Sequence, residues 1–470
     1  MQENNRTLPY VFRLTLIATL GGFLFGYDTA VVSGAVKAIR EFFIVPLGAS
    51  GDRANSLTGF AVSCALIGCI TGGSVAGFVS HALGRKKGLM LSALLFLVSG
   101  LGAAFPEHMG FPGMEPFTSF IFYRIVGGAG IGLASMLSPL YIAEIAPPHI
   151  RGRLVSWNQF AIVLGIQVVY FVNWFIASQG NEEWNITTGW RMMFLSGVIP
   201  SMIFIMLLFF IPETPRYLVF RNKLSDALEV LKKTVGEKEA EAGIKEITES
   251  LSIKSAPWLS FGWLVILISI LLALFQQLTG INAILYYAPK IFQNTGIRLD
   301  TSLLQTILVG AANLIFTVIA IITVDRLGRK PLLMLGGLLM GLTMVAIGLT
   351  FYSSGKNIVA LVFILIYIAG FAMSWGPVMW VMLSEIFPNS IRGAMAIATA
   401  TVWISDLLVS WSFPVLDDNK WLLSKFNHGF AFWIYAVICF VAVFAVWKMV
   451  PETKGKTLEQ IEKIWRKPAA

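Results

Sequence analysis

Twelve apolar stretches, each long enough to cross a membrane as a helix, recur along this chain of 470 residues and constrain its fold more than any other feature. A helix needs about 20 mostly apolar residues to cross the hydrocarbon layer of a bilayer. Hydrophobic residues make up 56% of the chain and charged residues only 13%, a composition that fits neither a soluble globule nor a disordered chain. The stretches lie near residues 12–36, 56–80, 88–106, 118–142, 154–178, 191–212, 261–289, 302–324, 331–353, 357–384, 394–415 and 429–450. The sequence therefore predicts an all-α membrane protein with twelve transmembrane helices.

The distribution of Lys and Arg between the loops predicts the orientation, because basic loops stay on the cytoplasmic side. With the N-terminus inside, 25 of the 35 basic residues fall on the inner side. Both termini are therefore predicted to be cytoplasmic, in a multi-pass membrane protein. The net charge of +9 is then explained by loop topology, and no nucleic-acid partner is expected.

The sequence contains no pattern of metal or nucleotide chemistry. Cys64, Cys69 and Cys439 lie in apolar stretches, and their spacing to the four scattered histidines does not resemble a zinc site. No glycine-rich phosphate loop followed by Lys and Ser or Thr is present, so ATP is not the expected energy source. We expect no cofactor, no metal and no enzymatic activity.

Three loop motifs occur twice in the same order and divide the chain into two similar halves. HALGRKKG at 81–88 is matched by VDRLGRKP at 324–331, EIAPPHIRG at 144–152 by EIFPNSIRG at 385–393, and PETPR at 212–216 by PETKG at 451–455. Six-helix repeats in parallel orientation are typical of transporters that rock about a central site. The repeat predicts an N-terminal six-helix bundle (1–212), a cytoplasmic linker with short helices (213–259), and a C-terminal six-helix bundle with a cytoplasmic tail (260–470).

The repeated charged residues predict a latch at the inner ends of the helices. Orientation does not require acids, so their recurrence beside arginines favours ion pairs between neighbouring helices. Such pairs would hold the inner side closed until water enters. The alternative is that the basic residues only keep the loops inside. The predicted gating residues are Arg85, Glu144, Arg151, Asp325, Arg329, Glu385 and Arg392.

Three ionisable residues lie within apolar stretches, where charge is costly and usually functional. They are Asp28, Arg124 and Asp406. Asp28 and Arg124 are candidates for an ion pair. A neighbouring arginine favours an ionised carboxyl and burial disfavours it, so a carboxyl under both influences can bind and release a proton. A static structural ion pair is the alternative.

Amide and aromatic side chains also cluster within apolar stretches. Thr279, Asn282 and Tyr286 share one helix face by their spacing, Gln276 borders that face, and Gly280 permits a kink. Further members are Gln159, Gln167, Tyr170, Trp375, Pro377, Trp380, Thr399, Trp403 and Ser410. Amides offer both donors and acceptors to sugar hydroxyls, and aromatic rings stack on the apolar faces of a pyranose. The cluster favours a neutral polyhydroxylated solute over a drug or an organic anion, although helix packing explains any single member.

The chain resembles the sugar porter family of the major facilitator superfamily over nearly its whole length. The matching stretches include ATLGGFLFGYDTAVVSG, ASMLSPLYIAEIAPPHIRG, NQFAI, FQQLTGINAILYYAPKIF, VDRLGRKP, AMSWGPVMWVMLSEIFPN and VPETKGKTLE. The resemblance implies two pseudo-symmetric six-helix bundles and proton-coupled import of a pentose, with D-xylose as the first choice, by alternating access.

The resemblance also implies the roles of individual residues. Asp28 is the implied proton-coupling carboxylate and Arg124 its partner, whereas passive glucose facilitators that resemble the family carry a neutral residue at the position of Asp28. The implied substrate-binding residues are Phe25, Gln159, Gln276, Gln277, Asn282, Tyr286, Gly376, Trp380 and Trp403. The implied partners are a small neutral sugar, a proton and the lipid bilayer, and we expect a monomer.

Three positions depart from the family pattern. His81 stands where the first loop motif usually has an acid, Val402 where an amide usually precedes Trp403, and Asp406 where an amide is common. Asp406 is expected either to bind a hydroxyl or to titrate as a second acid. The alternatives to a pentose symporter are a hexose–proton symporter, a passive sugar facilitator and, from another class, a transporter-like sugar sensor.

Overall fold

The computed structural model describes residues 4–252, 257, 260–353, 357–387 and 395–454, and within them all regular secondary structure is helical. Twelve helices are long and apolar enough to cross a membrane, which confirms the number predicted from the sequence. In chain order they are α1 (Thr7–Gly34), α2 (Gly51–Leu83), α3 (Arg85–Ala104), α4 (Pro116–Ile145), α5 (Arg151–Ala177), α6 (Glu182–Leu208), α7 (Trp263–Gln293), α8 (Leu299–Val324), α9 (Arg329–Tyr352), α10 (Asn357–Ile386), α11 (Met395–Asp417) and α12 (Lys420–Met449). Below, "inner" and "outer" follow the predicted orientation.

Three short helices follow α6: Pro215–Phe220, Leu224–Thr234 and Glu237–Ser252. They share a small apolar core. Its members are Leu218, Val219, Ala227 and Val230, with Ile244 and Ile247 packed against them. The linker segment therefore folds by burying its own apolar residues.

Contacts group the chain into two compact units whose boundaries differ from those of the sequence halves. The first unit comprises Met1–Thr29, Ile67–Ile166 and Phe194–Lys254. The second comprises Ala30–Leu66, Gln167–Met193 and Ser255–Ala470. The second unit thus combines the outer ends of α1, α2, α5 and α6 with the second half of the chain. The division at residues 213–259 remains a prediction from the repeat.

The helix α7 is interrupted at a glycine. It consists of two segments, Trp263–Leu278 and Ile281–Gln293, and Gly280 between them has φ 91° and ψ 15°. This left-handed conformation is readily available only to glycine, because a Cβ would be crowded by the backbone. Here a Cβ would also collide with the ring of Tyr435. The kink that the sequence permits is therefore a full break in the helix.

The helix α10 is interrupted three residues before a proline. Its segments are Asn357–Met373 and Trp375–Ile386, and Ser374 between them has φ −131° and ψ −87°. Pro377 has no N–H, so it cannot bond to the carbonyl one turn earlier. Breaks inside a membrane are tolerated only where the freed backbone groups find other partners. We therefore expect polar side chains near both breaks, as hydrogen-bond partners for the freed backbone groups.

Replacing Gly280 by Ala should destabilise the protein by about 1–2 kcal/mol, because the left-handed conformation is strained for alanine. The readout is the thermal unfolding midpoint in detergent. Gly77→Ala is the matched control: Gly77 lies within the helix α2, and a Cβ there meets no atom within 4 Å. That variant should unfold at the same temperature or slightly higher. Equal midpoints for the two variants would contradict the assignment of strain to Gly280.

Candidate functional site

A polar cluster in the first unit joins the inner ends of α2, α3 and α4 to the segment after α6. The Arg85 guanidinium donates to Glu144 Oε1 at 2.7 Å, and Thr214 Oγ1 donates to Glu144 Oε2 at 2.6 Å. Glu213 accepts the backbone N–H groups of Arg85 at 3.1 Å and of Lys86 at 3.2 Å, and so caps the first turn of α3. We call this the first inner cluster.

The second unit repeats this arrangement atom for atom. Arg329 donates to Glu385 Oε1 at 2.9 Å, and Thr453 Oγ1 donates to Glu385 Oε2 at 2.5 Å. Glu452 accepts the backbone N–H groups of Arg329 at 3.2 Å and of Lys330 at 3.0 Å at the start of α9. In this second inner cluster, each motif of the sequence repeat contributes to the same contact as in the first.

The capping glutamates of the two inner clusters differ in their electrostatics. Burial raises the pKa of Glu213, against hydrogen bonds from the backbone amides of Thr214, Lys86 and Arg85. Burial also acts to raise the pKa of Glu452, but hydrogen bonds from four backbone amides outweigh it, so that pKa lies below its usual value. The two inner clusters therefore have the same geometry, but ionisation is less favourable for Glu213 than for Glu452.

Of the other predicted gating residues, Arg151 is the one whose side chain the structure describes, and it does not join these clusters. Arg151 is exposed at the start of α5 and forms no ion pair with any residue that the structure describes. Arg392 and the side chain of Asp325 lie outside the described part of the chain. The predicted pairing of arginine with a neighbouring acid is thus present for Arg85 and Arg329.

Removing one acid from each inner cluster should have unequal effects. The Glu144 side chain is 7% exposed and that of Glu385 is 24% exposed, so Glu144→Gln removes the more deeply buried of the two acidic charges and leaves Arg85 without its counter-charge. We expect Glu144→Gln to cost about 3 kcal/mol of unfolding free energy and Glu385→Gln about half of that. Denaturant unfolding in detergent measures both, with Glu229→Gln in the exposed pair with Lys233 as a control that should leave the midpoint unchanged. A larger loss for Glu385→Gln would refute this ranking.

An ion pair lies within the membrane-spanning part of the first unit. Arg124 of α4 is 1% exposed and donates through Nη1 to Asp28 Oδ2 at 2.9 Å and through Nη2 to the Asp28 carbonyl at 3.2 Å. The guanidinium also lies over the ring of Phe194, 5.2 Å from its centre. The Asp28 side chain keeps 15% exposure. The arrangement therefore combines a fully buried cation with a carboxylate that keeps some accessible surface.

In the second unit, a chain of amides links the two broken helices. Asn282 Nδ2 donates to Gln277 Oε1 at 2.9 Å, and Gln277 Nε2 to Gln276 Oε1 at 3.4 Å. Gln276 Nε2 donates to the carbonyls of Trp375 at 3.0 Å and Gly376 at 3.3 Å. The Gln276 side chain thus provides hydrogen-bond donors to backbone carbonyls beside the break in α10. Three predicted substrate-binding residues are brought together by this chain.

A carboxyl group lies beside the same part of α7. Asp406 is 1% exposed; its Oδ2 accepts from the Tyr286 hydroxyl at 3.3 Å and its Oδ1 from Ser410 Oγ at 2.9 Å. Trp403, one turn earlier on α11, is 6% exposed, and Trp380 on α10 is half-buried. The second unit therefore offers amides, hydroxyls, a carboxyl and two indole rings. Phe25 and Gln159, both half-buried, belong to the first unit.

Some polar residues that the sequence suggested for this cluster have structural partners instead. The Trp375 ring is fully buried, and its N–H donates to the carbonyl of Leu333 on α9 at 3.0 Å. The Thr279 hydroxyl donates to the Gln276 carbonyl at 3.0 Å, and the Tyr170 hydroxyl to the Leu285 carbonyl at 2.8 Å. The Trp375 and Tyr170 side chains link neighbouring helices, whereas the Thr279 hydroxyl bonds within α7. Trp375 is therefore not available as a flat ring for a ligand.

An outer polar cluster was not foreseen from the sequence. Lys290 Nζ lies 2.5 Å from Asp418 Oδ2 and 3.8 Å from Asp417 Oδ2, and Arg40 Nη1 lies 3.3 Å from Asp418. Asn55 accepts from Arg40 at 3.0 Å and donates to the Asp418 carbonyl at 3.3 Å. Arg40 and Asn55 come from the first half of the chain, so this cluster joins both halves within the second unit. The adjacent acids Asp417 and Asp418, at the end of α11, were the feature of the sequence that could have indicated this cluster.

His428 extends the outer polar cluster. Its Nδ1 lies 2.9 Å from Asp417 Oδ1, and Asn294 donates to Asp417 Oδ2 at 2.9 Å. Three possible metal-ligand atoms, one each from Asp417, Asp418 and His428, lie within 4.8 Å of one another. The ammonium group of Lys290 already offsets the negative charge there, so the cluster is explained by ion pairs.

Twelve spans, repeated inner clusters and buried polar groups define a multi-pass membrane transporter. The family model described as "Sugar (and other) transporter" matches residues 14–465. The chain belongs to this sugar transporter family, whose members move solutes and are not enzymes.

Curated relatives align with the chain over nearly its full length. The D-xylose-proton symporter of Escherichia coli K12 is 51% identical, over 97% of this chain and 96% of that protein. The glucose facilitated diffusion protein of Zymomonas mobilis is 42% identical, over 97% and 98%. The arabinose-proton symporter of Bacillus subtilis is 39% identical, over 98% and 97%.

Solved structures agree with the fold. The inward-open conformation of the xylose transporter XylE of Escherichia coli has a TM-score of 0.88 and 49% identity, covering 97% of this chain and 100% of that one. The proton:xylose symporter XylE of the major facilitator superfamily, bound to 6-bromo-6-deoxy-D-glucose, has a TM-score of 0.83 and 49% identity, covering 98% and 100%. These similarities confirm the major facilitator fold, with twelve helices in two pseudo-symmetric six-helix bundles.

Proposed function

We propose that the protein is a proton-coupled symporter that imports a pentose, with D-xylose as the preferred sugar, by alternating access. The observation that carries the proposal is the ion pair of Asp28 and Arg124: a carboxylate with 15% exposure beside a cation with 1%. Similarity to the D-xylose-proton symporter of Escherichia coli, at 51% identity, supports both the sugar and the coupling.

Protonation of Asp28 is the proposed coupling step. A proton that enters from the outer side neutralises the carboxylate and removes the charge that Arg124 pairs with. Arg124 then keeps neutral contacts, such as the Asp28 carbonyl and the face of Phe194, but has no counter-charge among the residues that the structure describes. Since a buried cation without a counter-charge is unfavourable, protonation favours a rearrangement of α1 against α4. Release of the proton on the inner side restores the pair.

The sugar is assigned to the amide and aromatic groups. Gln276, Gln277 and Asn282 present donors and acceptors to hydroxyls, and Trp380 and Trp403 present apolar faces to the ring. From the family resemblance, the assignment extends to Phe25, Gln159, Tyr286 and Gly376. Substrate hydroxyls can replace the amide–amide hydrogen bonds, such as the one from Asn282 to Gln277, without leaving a buried polar group unpaired.

Further parts of the proposal concern gating and topology. The two inner clusters are assigned as the latch of the inner side, with Arg151, Asp325 and Arg392 as further members. We place both termini in the cytoplasm and the protein in a bacterial cytoplasmic membrane as a monomer. Two six-helix bundles joined by the linker 213–259 complete the proposed organisation.

A passive facilitator is the second candidate, because a glucose facilitated diffusion protein is 42% identical to the chain. Hexose transport is favoured by the relative that binds 6-bromo-6-deoxy-D-glucose. The ionisable Asp28 argues for symport over facilitation, because an uncoupled carrier has no use for a costly carboxyl inside a span.

Asp28→Asn should still exchange labelled xylose across proteoliposome membranes but should not accumulate it against a gradient, since the amide cannot carry the proton. Sugar-induced alkalinisation of the outer medium should be lost as well. Asp300→Asn, which changes an aspartate with 58% exposure at the start of α8, should retain both activities. Unchanged accumulation by Asp28→Asn would remove the coupling role from this residue.

Asn282→Ala should weaken xylose binding at least about tenfold, equivalent to about 1.4 kcal/mol, because a sugar hydrogen bond is lost and the Gln277 carbonyl oxygen loses its donor. Gln179→Ala, at an exposed position after α5, is the control and should bind normally. Competition of labelled xylose by glucose and arabinose ranks the sugars in the same assay. If glucose competes more strongly than xylose, the hexose candidate replaces the pentose one.

A further inference from the structure

Asp406 has a hydrogen-bonding environment unlike that of Asp28. It is 1% exposed, and its hydrogen-bond partners are the hydroxyls of Ser410 at 2.9 Å and Tyr286 at 3.3 Å and the side-chain amide of Asn282. Asp28 has the guanidinium of Arg124 at 2.9 Å. Within the described part of the chain, no Lys, Arg or His lies within ion-pair distance of Asp406. A buried carboxylate without a counter-ion is strongly unfavourable, so the neutral acid is favoured.

The helices that pack on α11 supply no compensating charge close to Asp406 in the residues described. The first segment of α7 has no ionisable residue. The second segment contributes Tyr286 and Tyr287, and Asp406, Tyr435 of α12 and Cys64 of α2 are electrostatic neighbours of the Tyr287 hydroxyl. Phenols and thiols are neutral or negative, never positive.

The charged residues of these packed helices lie near the helix ends. At the outer ends they are Asp52, Arg53, Lys290, Lys420, Lys425 and His428, with Asp417 at the end of α11 itself, and at the inner ends they are His81 and Lys448. Lys290, one turn beyond Tyr286, is already held by Asp418 at 2.5 Å and by Asp417 at 3.8 Å. It therefore does not serve as the counter-ion of Asp406.

We propose that Asp406 is a second proton-binding acid of the transport site, and that the sugar binds while Asp406 is protonated. The inference rests on the proposed sugar transport and adds a residue to it. A neutral carboxyl is both a donor and an acceptor, like the amides beside it, whereas a carboxylate only accepts. Asn282 of the amide chain is also a hydrogen-bond partner of Asp406, so protonation of Asp406 and sugar occupancy act on the same side chain. Deprotonation on the inner side then weakens sugar binding in addition to the change at Asp28.

The test is the pH dependence of xylose binding to the full-length protein in detergent, measured by titration calorimetry between about pH 5.5 and 9. Asp28→Asn removes the first acid, and we expect its xylose Kd still to rise at least fivefold towards high pH. In Asp28→Asn/Asp406→Asn, the profile should be flat, because the amide stays neutral. Calorimetry in buffers of different ionisation enthalpy should show proton uptake on sugar binding to the single variant and none to the double variant.

Ser410→Ala in the Asp28→Asn background keeps the test decisive if the double variant does not fold. Loss of the Ser410 hydrogen bond makes the carboxylate less favourable, so the rise in Kd should move to higher pH. A flat profile for Asp28→Asn alone, or an unaltered rise in both other variants, would overturn the role of Asp406. If the unsubstituted protein binds no sugar at any pH, the transport proposal itself is wrong.

Discussion

The need to pair every backbone polar group inside the membrane governs the centre of this protein. The helices α7 and α10 are broken, at Gly280 and Ser374, and each break frees backbone groups that lipid cannot satisfy. The Gln276 amide donates to two carbonyls beside the break in α10, and the Tyr367 hydroxyl donates to the Thr279 carbonyl at 3.0 Å. The polar side chains proposed for sugar binding therefore also stabilise the broken helices.

Because these side chains both stabilise the broken helices and are proposed to bind the sugar, they differ in how easily a sugar can replace their contacts. A hydrogen bond between two side-chain amides is easily exchanged for one to a sugar hydroxyl, because both partners remain satisfied. The contacts of Gln276 to the backbone are less replaceable, since removing them exposes carbonyls at a break. Gln277 and Asn282 are the more adaptable part of the cluster, and Gln276 is its fixed part.

The inner clusters show how a repeat can be symmetric in geometry and asymmetric in energy. The same arginine–glutamate–threonine contacts occur in both units. Yet the acid in the first unit is more deeply buried than its counterpart, and the pKa values of the capping glutamates shift in opposite directions. In the proposed latch, two clusters of unequal strength would respond to the same hydration of the inner side at different points of the transport cycle.

The sequence by itself determined the twelve spans, the repeat and the family, because hydrophobic length and motif order are properties of the chain alone. It also indicated the pair of Asp28 and Arg124, because a charge inside a span is unfavourable unless an opposite charge lies beside it. Only the tertiary structure decided that Trp375 packs against α9, that Arg151 stands outside the inner cluster, and that Arg40, Lys290 and Asp418 meet. These outcomes depend on which face of each helix meets its neighbour, and uniformly apolar helices carry little periodic signal for that choice.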